Sequence, residues 1–142
     1  MKVPMQCDFV IDLSYGDCGK GAVVYDRIKN KDYDIVLRGN GGHNAGHTIY
    51  HNYKKYITHI VPAGVFFGVQ SIIGAGCVIN VKKFFDEVTY LEDNGINASK
   101  YVKIAKNAHI ITDEHLAEDS EDEKIGTTKQ GNGQAYRDKY AR

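Results

Sequence analysis

Several features that would assign this chain to a specialised class are missing from its 142 residues. The 18 Lys and Arg residues equal the 18 Asp and Glu residues, so no net charge favours a nucleic-acid or membrane partner. No apolar run approaches the length of a membrane span, and the N-terminus lacks the basic-then-apolar layout of a secretory signal. These absences indicate a cytoplasmic globular protein.

Cysteine is also scarce. Cys7, Cys18 and Cys77 have the spacing of neither a metal-binding pair nor a disulfide framework, which favours a reduced compartment. The composition, with 42% apolar and 25% charged residues, is ordinary for one domain with a real core.

The most informative stretch follows an apolar segment, Cys7–Leu13, which we predict to be a buried strand. It reads SYGDCGKG over residues 14–21 and leads into a predicted helix over 21–30. A glycine-rich turn between a strand and a helix brings backbone N–H groups and the positive end of the helix dipole to an anion. Lys20 adds a cation, and Asp17 adds a carboxylate that suits a metal ion or a proton transfer. We therefore predict a nucleotide-handling loop.

The spacing of this loop matches neither the Walker pattern nor the dinucleotide fingerprint. A tight strand-to-helix turn with an exposed lysine therefore remains an alternative. Cys18 lies beside Lys20 near a helix N-terminus, where a thiol pKa can be depressed. Nothing else nearby suggests a cysteine enzyme, so we interpret Cys18 as an inert thiol.

A second glycine-rich stretch, RGNGGHNAGH, covers residues 38–47. His43 and His47 are four residues apart, a spacing that could bind zinc on a helix, but the glycines disfavour a helix here. A histidine facing Asp17 would serve better as an acid or as a donor to a phosphate. The remaining histidines are predicted to be structural or exposed: His51, His59, His109 and His115.

The rest of the chain alternates predicted strands and helices. Strands are expected at 34–37, 70–73, 101–104 and 108–111, a hairpin at 48–60, and helices at 81–94 and from about 113 and 136. Asn80 and Gly95 should cap the 81–94 helix, and the glycines of 74–76 should end or bulge their strand. The helix should pack on the sheet through Val81, Phe84, Phe85, Val88 and Leu91. We predict an α/β fold, similar to P-loop NTPases, in which flanking helices cover a mainly parallel central sheet and a small β-hairpin projects. Ligands bind such sheets at the carboxyl ends of the strands.

Two features near the end of the chain are less specific. Residues 113–123 contain seven acidic side chains, which we interpret as a solvated face. Thr127 and Thr128 could hold a phosphate or could serve a turn or a helix cap, and the residues alone leave both open.

Three blocks together resemble the adenylosuccinate synthetase family: YGDCGKG at 15–21, GGHNAGHT at 41–48 and IGTTKQGNGQAYRDKYAR at 125–142. The resemblance runs nearly end to end here, yet it corresponds only to the N-terminal portion of the family's longer chain. It implies GTP-dependent joining of IMP and L-aspartate through a 6-phosphoryl-IMP intermediate, giving adenylosuccinate, GDP and phosphate for AMP biosynthesis.

The resemblance also implies roles for individual residues. Asp17 would be the base that removes the N1 proton of IMP, His47 the proton donor to the moving phosphate, and Lys20 a further catalytic cation. Asp17 and the Gly46 carbonyl oxygen would bind Mg²⁺. The implied GTP contacts are Gly16, Asp17, Cys18, Gly19, Lys20, Gly21, Ala22, Gly46, His47 and Thr48. The implied substrate contacts are Asp17 to Lys20, Asn44, Ala45, Gly46, His47, Thr128 and Arg142. Arg142 would reach the IMP phosphate of a neighbouring subunit, which implies a homodimer.

Departures from the family pattern keep alternatives open. Cys18 replaces an acidic residue, Lys129 and Gln130 stand where the family has Gly-Arg, and Gln134 replaces a proline. A viral branch that makes the 2-amino analogue from dGMP typically lacks the motif aspartate, so Asp17 favours IMP. A noncatalytic nucleotide-binding chain and an enzyme formed by two chains are further alternatives.

Overall fold

The computed structural model describes residues 6–13, 18–121 and 127–141. Within them, the α-helices are Lys20–Asn30 (α1), Val81–Asp93 (α2), Ala98–Tyr101 (α3), Asp113–Glu121 (α4) and Asn132–Tyr140 (α5). The strands are Ile35–Gly41 (β1), His47–His51 (β2), Lys54–Thr58 (β3), Gln70–Ile79 (β4), Val102–Ile104 (β5) and His109–Ile110 (β6). A 3₁₀ helix covers Ala63–Phe67.

The central sheet is parallel and is organised around β4. β1 pairs along most of β4, while β5 and β6 pair with its beginning and its end. β2 and β3 form a separate antiparallel hairpin. The predicted α/β fold, with a mainly parallel sheet and a small hairpin, is therefore confirmed.

The core lies between this sheet and the elements packed on it. Its centre consists of side chains with no exposed surface: Ile60, Ile73, Cys77, Leu91 and Ala98. Burial of one such large aliphatic side chain stabilises the fold by about 1.5–3 kcal/mol. Among the described residues, no helix has the length and apolar content needed to cross a membrane.

The predicted first strand, Cys7–Leu13, is wrong. These residues form no regular strand, and Phe9, Ile11 and Leu13 are 83%, 73% and 95% exposed. A strand requires a neighbour for its backbone hydrogen bonds, and no strand in the described ranges pairs with this segment.

Glycines allow the close approach of β1 and β4. Arg38 pairs with Ile73 and Asn40 with Gly76, so β4 carries one extra residue between these positions. A Cβ on Gly76 would lie 2.2 Å from the carbonyl oxygen of Gly39. The expected bulge is confirmed, and both strands run beyond their predicted ends.

The predicted caps and hairpin turn also form. The Asn80 side chain accepts a hydrogen bond from the backbone N–H of Lys83 at 3.0 Å, and Gly95 has φ 82° just after α2. The predicted hairpin turns at Asn52 and Tyr53, whose φ values are 48° and 62°. Two left-handed residues are typical of a type I′ turn, which matches the twist of the strands it joins.

Helix α2 packs through a narrower stripe than predicted. Phe84, Val88 and Leu91 are buried, whereas Phe85 and Val81 are 61% and 43% exposed. Phe85 lies about 100° around the helix from Phe84, outside the buried stripe. Val81 is the first residue of the helix. The prediction that all five residues pack on the sheet is therefore wrong for these two.

The Gly76 contact provides a test of the strand pairing. We expect Gly76→Ala to lower the free energy of unfolding by about 3 kcal/mol, because the neighbouring backbone would have to move. Gly133→Ala in α5 is the control, since its Cβ would meet nothing within 4 Å and alanine favours the helix by up to about 1 kcal/mol. Urea unfolding of both variants measures the difference. Equal stabilities would contradict the pairing of β1 with β4.

Candidate functional site

The first wall of the candidate site is the N-terminus of α1. The helix begins at Lys20 after Gly19, which has φ 75°, and a Cβ on Gly21 would lie 2.9 Å from the ring of His47. Only glycine therefore permits this contact between the helix and the start of β2. The geometry places His47, for which the family resemblance implies a proton-donor role, beside the positive end of the helix dipole.

Lys20 and Cys18 lie at the start of α1, on either side of Gly19. The Lys20 ammonium pairs with the Asp12 carboxylate, and the hydrogen bond to Asp12 raises the pKa of Lys20. Lys20 Nζ also lies 3.7 Å from Cys18 Sγ, and Cys18 is exposed. Gly16 and Asp17 lie outside the described residues, as does Arg142, so their predicted roles stay predictions.

The second glycine-rich stretch is part strand and part loop. Arg38 to Gly41 belong to β1, and the chain then turns through residues 42–46 before β2 begins at His47. His43 and His47 therefore share no helix, and the spacing argument for zinc does not apply to them. Because β1 runs parallel to β4, this loop leaves the carboxyl edge of the sheet, where ligands were expected.

Arg38 fixes the conformation of that loop. Its guanidinium donates hydrogen bonds to the carbonyl oxygens of Asn40 at 3.2 Å, Gly42 at 3.1 Å and His59. Burial lowers the pKa of Arg38, but guanidinium pKa values are high enough for the charge to persist. One rigid donor group therefore joins the end of β1, the glycine loop and the segment after the hairpin.

Glu87 and His59 support the same loop from the side of α2. The Glu87 carboxylate is buried and accepts the backbone N–H groups of His59, Ile60 and Val61 at 2.8, 3.0 and 3.1 Å. The His59 ring donates from Nδ1 to the carbonyl oxygen of Ala45 at 2.8 Å. Asn44 and Gly46 flank Ala45 and are both exposed, so the network presents them to solvent.

Two histidines of the loop have depressed pKa values. Burial, together with the nearby charges of Arg38 and Lys20, lowers the pKa of His47 to about 4. Burial also lowers the pKa of His43 to about 4, and its ring nitrogens make no hydrogen bond with the described residues. Both rings are therefore neutral near pH 7, and His47 can donate an N–H without carrying a charge.

A third segment reaches the same edge of the sheet. Tyr136 of α5 accepts a hydrogen bond from the N–H of Gly41 at 2.7 Å and donates one to the Gly76 carbonyl at 2.8 Å. A Cβ on Gly42 would lie 2.2 Å from Asn132 Oδ1. This close approach puts the first turn of α5 against the second glycine loop. The loop just before α5 carries the exposed Thr128.

The loop before α5 has an unusual backbone. Lys129 has φ 52°, the left-handed region that favours glycine, and its N–H bonds Thr127 Oγ1 at 2.8 Å. This conformation gives a physical reason for the glycine that the family pattern has at this position. An open cleft of about 690 Å³ extends from Gln130 to His43 and His59.

The interpretation of residues 113–123 as a solvated face is wrong for Asp119. This residue is 5% exposed, whereas Asp113, Glu114, Glu118 and Glu121 are exposed as expected. Asp119 is buried because donors from the loop before α5 surround its carboxylate, beginning with the N–H of Gly131 at 2.8 Å.

Three residues that hold the loops were not predicted from the sequence: Arg38, Glu87 and Asp119. Glu87 lies within the apolar stripe of α2, between Phe84 and Val88, and a charge in such a stripe is a usable signal. Arg38 and Asp119 gave weaker signals, because a charge in a glycine loop or in an acidic run is usually solvated.

Because the pKa values of His43 and His47 are lowered in the folded chain, we expect acid to destabilise the fold. Between pH 6.5 and about 4 the unfolded chain binds protons that folded His43 and His47 do not, so stability falls as pH falls through this window. His43→Asn should reduce the loss between pH 7.5 and 5 by about 1 kcal/mol, allowing for partial solvent screening. Urea unfolding at both pH values measures this, and an unchanged pH dependence in the variant would contradict the assignment.

Known proteins resemble this chain along almost its full length. A family model for adenylosuccinate synthetase matches residues 9–142. Adenylosuccinate synthetases from Helicobacter pylori and Lactococcus lactis subsp. cremoris are 43% and 40% identical over 139 and 140 residues. These alignments cover 95% and 94% of this chain but 32% of each relative, so the chain spans about a third of their length.

Two solved structures share the fold. A fully ligated adenylosuccinate synthetase from Plasmodium falciparum superposes with a TM-score of 0.76 at 39% identity, over 90% of this chain and 31% of that one. The succinoaminodeoxyadenylate synthetase of cyanophage S-2L, bound to dGMP and dATP, gives 0.71 at 22% identity, over 91% and 36%. The second likeness concerns the fold alone. Because the family model matches the chain from residue 9 onward, the chain belongs to the adenylosuccinate synthetase family.

Proposed function

We propose that this chain carries the phosphate- and IMP-handling part of an adenylosuccinate synthetase, which joins IMP to L-aspartate at the expense of GTP. The supporting observation is the contact of Gly21 with the His47 ring, which joins the α1 N-terminus and the second glycine loop into one wall. Phosphoryl transfer depends on positioning and charge neutralisation, and this wall offers both. A cytoplasmic location and a homodimer, in which Arg142 reaches the neighbouring subunit, belong to the same proposal.

The proposed reaction begins with proton removal. Asp17 takes the N1 proton of IMP, and the 6-oxygen attacks the γ-phosphorus of GTP while the bond to GDP breaks. His47 donates its neutral N–H to the moving phosphoryl group. The amino group of L-aspartate then attacks C6 and loses a proton, and phosphate leaves with the 6-oxygen.

The proposed binding residues are those that the family resemblance implies. The α1 N-terminus, with Gly19, Lys20 and Gly21, holds the GTP phosphates, and Lys20 exchanges its Asp12 partner for them. Asn44 and Thr128, exposed on neighbouring loops, hold IMP. None of these binding residues lines the cleft of about 690 Å³, which lies between α2, the hairpin and Gln130, so the cleft does not by itself mark the nucleotide site.

Mg²⁺ fits the donors that this loop offers. Gly46 is exposed, so an ion can approach its backbone from solvent. Carbonyl and carboxylate oxygens are the ligands Mg²⁺ prefers, and one or two of them suffice when substrate phosphates complete the shell. Gly46 and Asp17 would hold the ion, which would neutralise phosphate charge.

Binding and turnover together test the proposed function. We expect calorimetry of this chain to show binding of IMP and of GTP with Mg²⁺. In a full-length context, we expect turnover of GTP to require IMP and L-aspartate. Asp17→Asn should lower turnover by about 10²–10⁴-fold, because it removes the base. Normal turnover in this variant would contradict the mechanism, and failure to bind either nucleotide would contradict the function.

The same assays separate the alternatives. Binding without turnover would favour a noncatalytic nucleotide-binding chain. Turnover that appears only after a second polypeptide is added would favour an enzyme of two chains, for which the exposed Phe9, Ile11, Leu13, Ile35 and Leu37 offer an apolar surface. Replacement of IMP by dGMP tests the third alternative, the 2-amino reaction.

A further inference from the structure

Asp119 is the buried anion of an otherwise exposed acidic run. Its carboxylate accepts the N–H of Gly131 at 2.8 Å, and the side chains of Thr127 and Gln134 and the backbone of Gln130 lie near enough to favour its charged form. These donors all come from the loop before α5 and from its first turn. The side chain therefore connects α4 to nearly every residue around Thr128.

The charge of Asp119 depends on this loop, and the loop depends on the charge. Burial alone would raise the pKa of Asp119, but the hydrogen bonds from Gly131, Thr127 and Gln134 lower it overall. A buried carboxylate is stable only while such donors surround it. The Asp119 carboxylate therefore holds the loop donors that face it in one position.

The local backbone requires such an anchor. Gly131 precedes α5 with φ 69° and no side-chain cap of its own, so the carboxylate from α4 satisfies an N–H at this helix terminus. Lys129 occupies the left-handed region at φ 52°. This conformation costs a lysine free energy, which contacts with the surrounding residues must compensate. Thr128, between these anchored residues, remains exposed.

We propose that Asp119 is a positioning residue of the nucleotide site: it fixes residues 127–131 so that the Thr128 hydroxyl meets the phosphate of IMP. This inference rests on the proposed function for its ligand.

Asp119→Asn tests this role, with Asp113→Asn as the matched control on the exposed face of the same helix. Titration of the ¹⁵N-labelled chain with IMP, inosine and GTP with Mg²⁺ reports on each loop through its own amides. We expect Asp119→Asn to weaken IMP binding about tenfold, the effect of losing a charge-assisted hydrogen bond. Inosine binding and the GTP response of Lys20 and Gly21 should stay within twofold of the unsubstituted chain.

A merely structural role would give a different pattern. Loss of IMP, inosine and GTP binding in equal measure, or an unchanged ratio of IMP to inosine affinity, would overturn the proposal. If Asp119→Asn fails to fold, Thr127→Val removes a half-buried hydroxyl that favours the charge of the same carboxylate, and it should also reduce the ratio of IMP to inosine affinity. An unchanged ratio in Thr127→Val would then overturn the proposal.

Failure of the proposed function would be distinguishable. If the unsubstituted chain binds no IMP, the function is contradicted, while hydrogen exchange still tests the anchor. The Gly131 amide should exchange about tenfold faster in Asp119→Asn than in Asp113→Asn. Equal exchange rates in the two variants would show that Asp119 does not hold the loop.

Discussion

The buried guanidinium of Arg38 is the constraint on which the candidate site depends. It donates to the carbonyl oxygens of Asn40, Gly42 and His59, three segments that would otherwise diverge at the edge of the sheet. Glycine is needed here so that chains can approach closely, but glycine alone leaves the backbone mobile. A planar cation with several donors selects one conformation from the many that the glycines permit.

The same arrangement sets the electrostatics of the site. A fixed buried cation beside His47 disfavours a second positive charge, and burial adds to this effect, so the imidazole stays neutral. Glu87 is close to His43, at 3.7 Å, but its oxygens already accept three backbone N–H groups. The loop therefore presents neutral donors and an exposed carbonyl next to the α1 N-terminus, an environment suited to a polyphosphate.

The sequence predicted the elements whose signals are local. Asn80 before an apolar stripe, the glycines that bulge β4, and the hairpin turn could each be located from a few neighbouring residues. The segment 7–13 could not, because its apolar pattern indicates burial without indicating which surface provides it. Asp119 illustrates the same limit: its neighbours include exposed acids, and the backbone N–H that it accepts lies 12 residues away, in a loop fixed by tertiary packing.

Family resemblance and geometry make complementary contributions to the site. The resemblance gave His47, Gly46 and Lys20 their expected roles. The geometry places the His47 ring against Gly21, where the absence of a Cβ leaves room for it. The residues that hold the loops in place, Arg38, Glu87 and Asp119, emerged only from the contacts. A motif identifies the groups that meet a ligand more readily than the groups that orient them.

The pKa of His47 tests most directly whether this wall receives phosphates. NMR titration of the ring nitrogens in the free chain should give a pKa of about 4. Saturation with GTP and Mg²⁺ should raise that pKa by about one unit or more, because the bound nucleotide keeps a net negative charge after Mg²⁺ is counted, and that charge favours the protonated ring. A His47 pKa that is the same in the free chain and at saturating GTP would contradict the account.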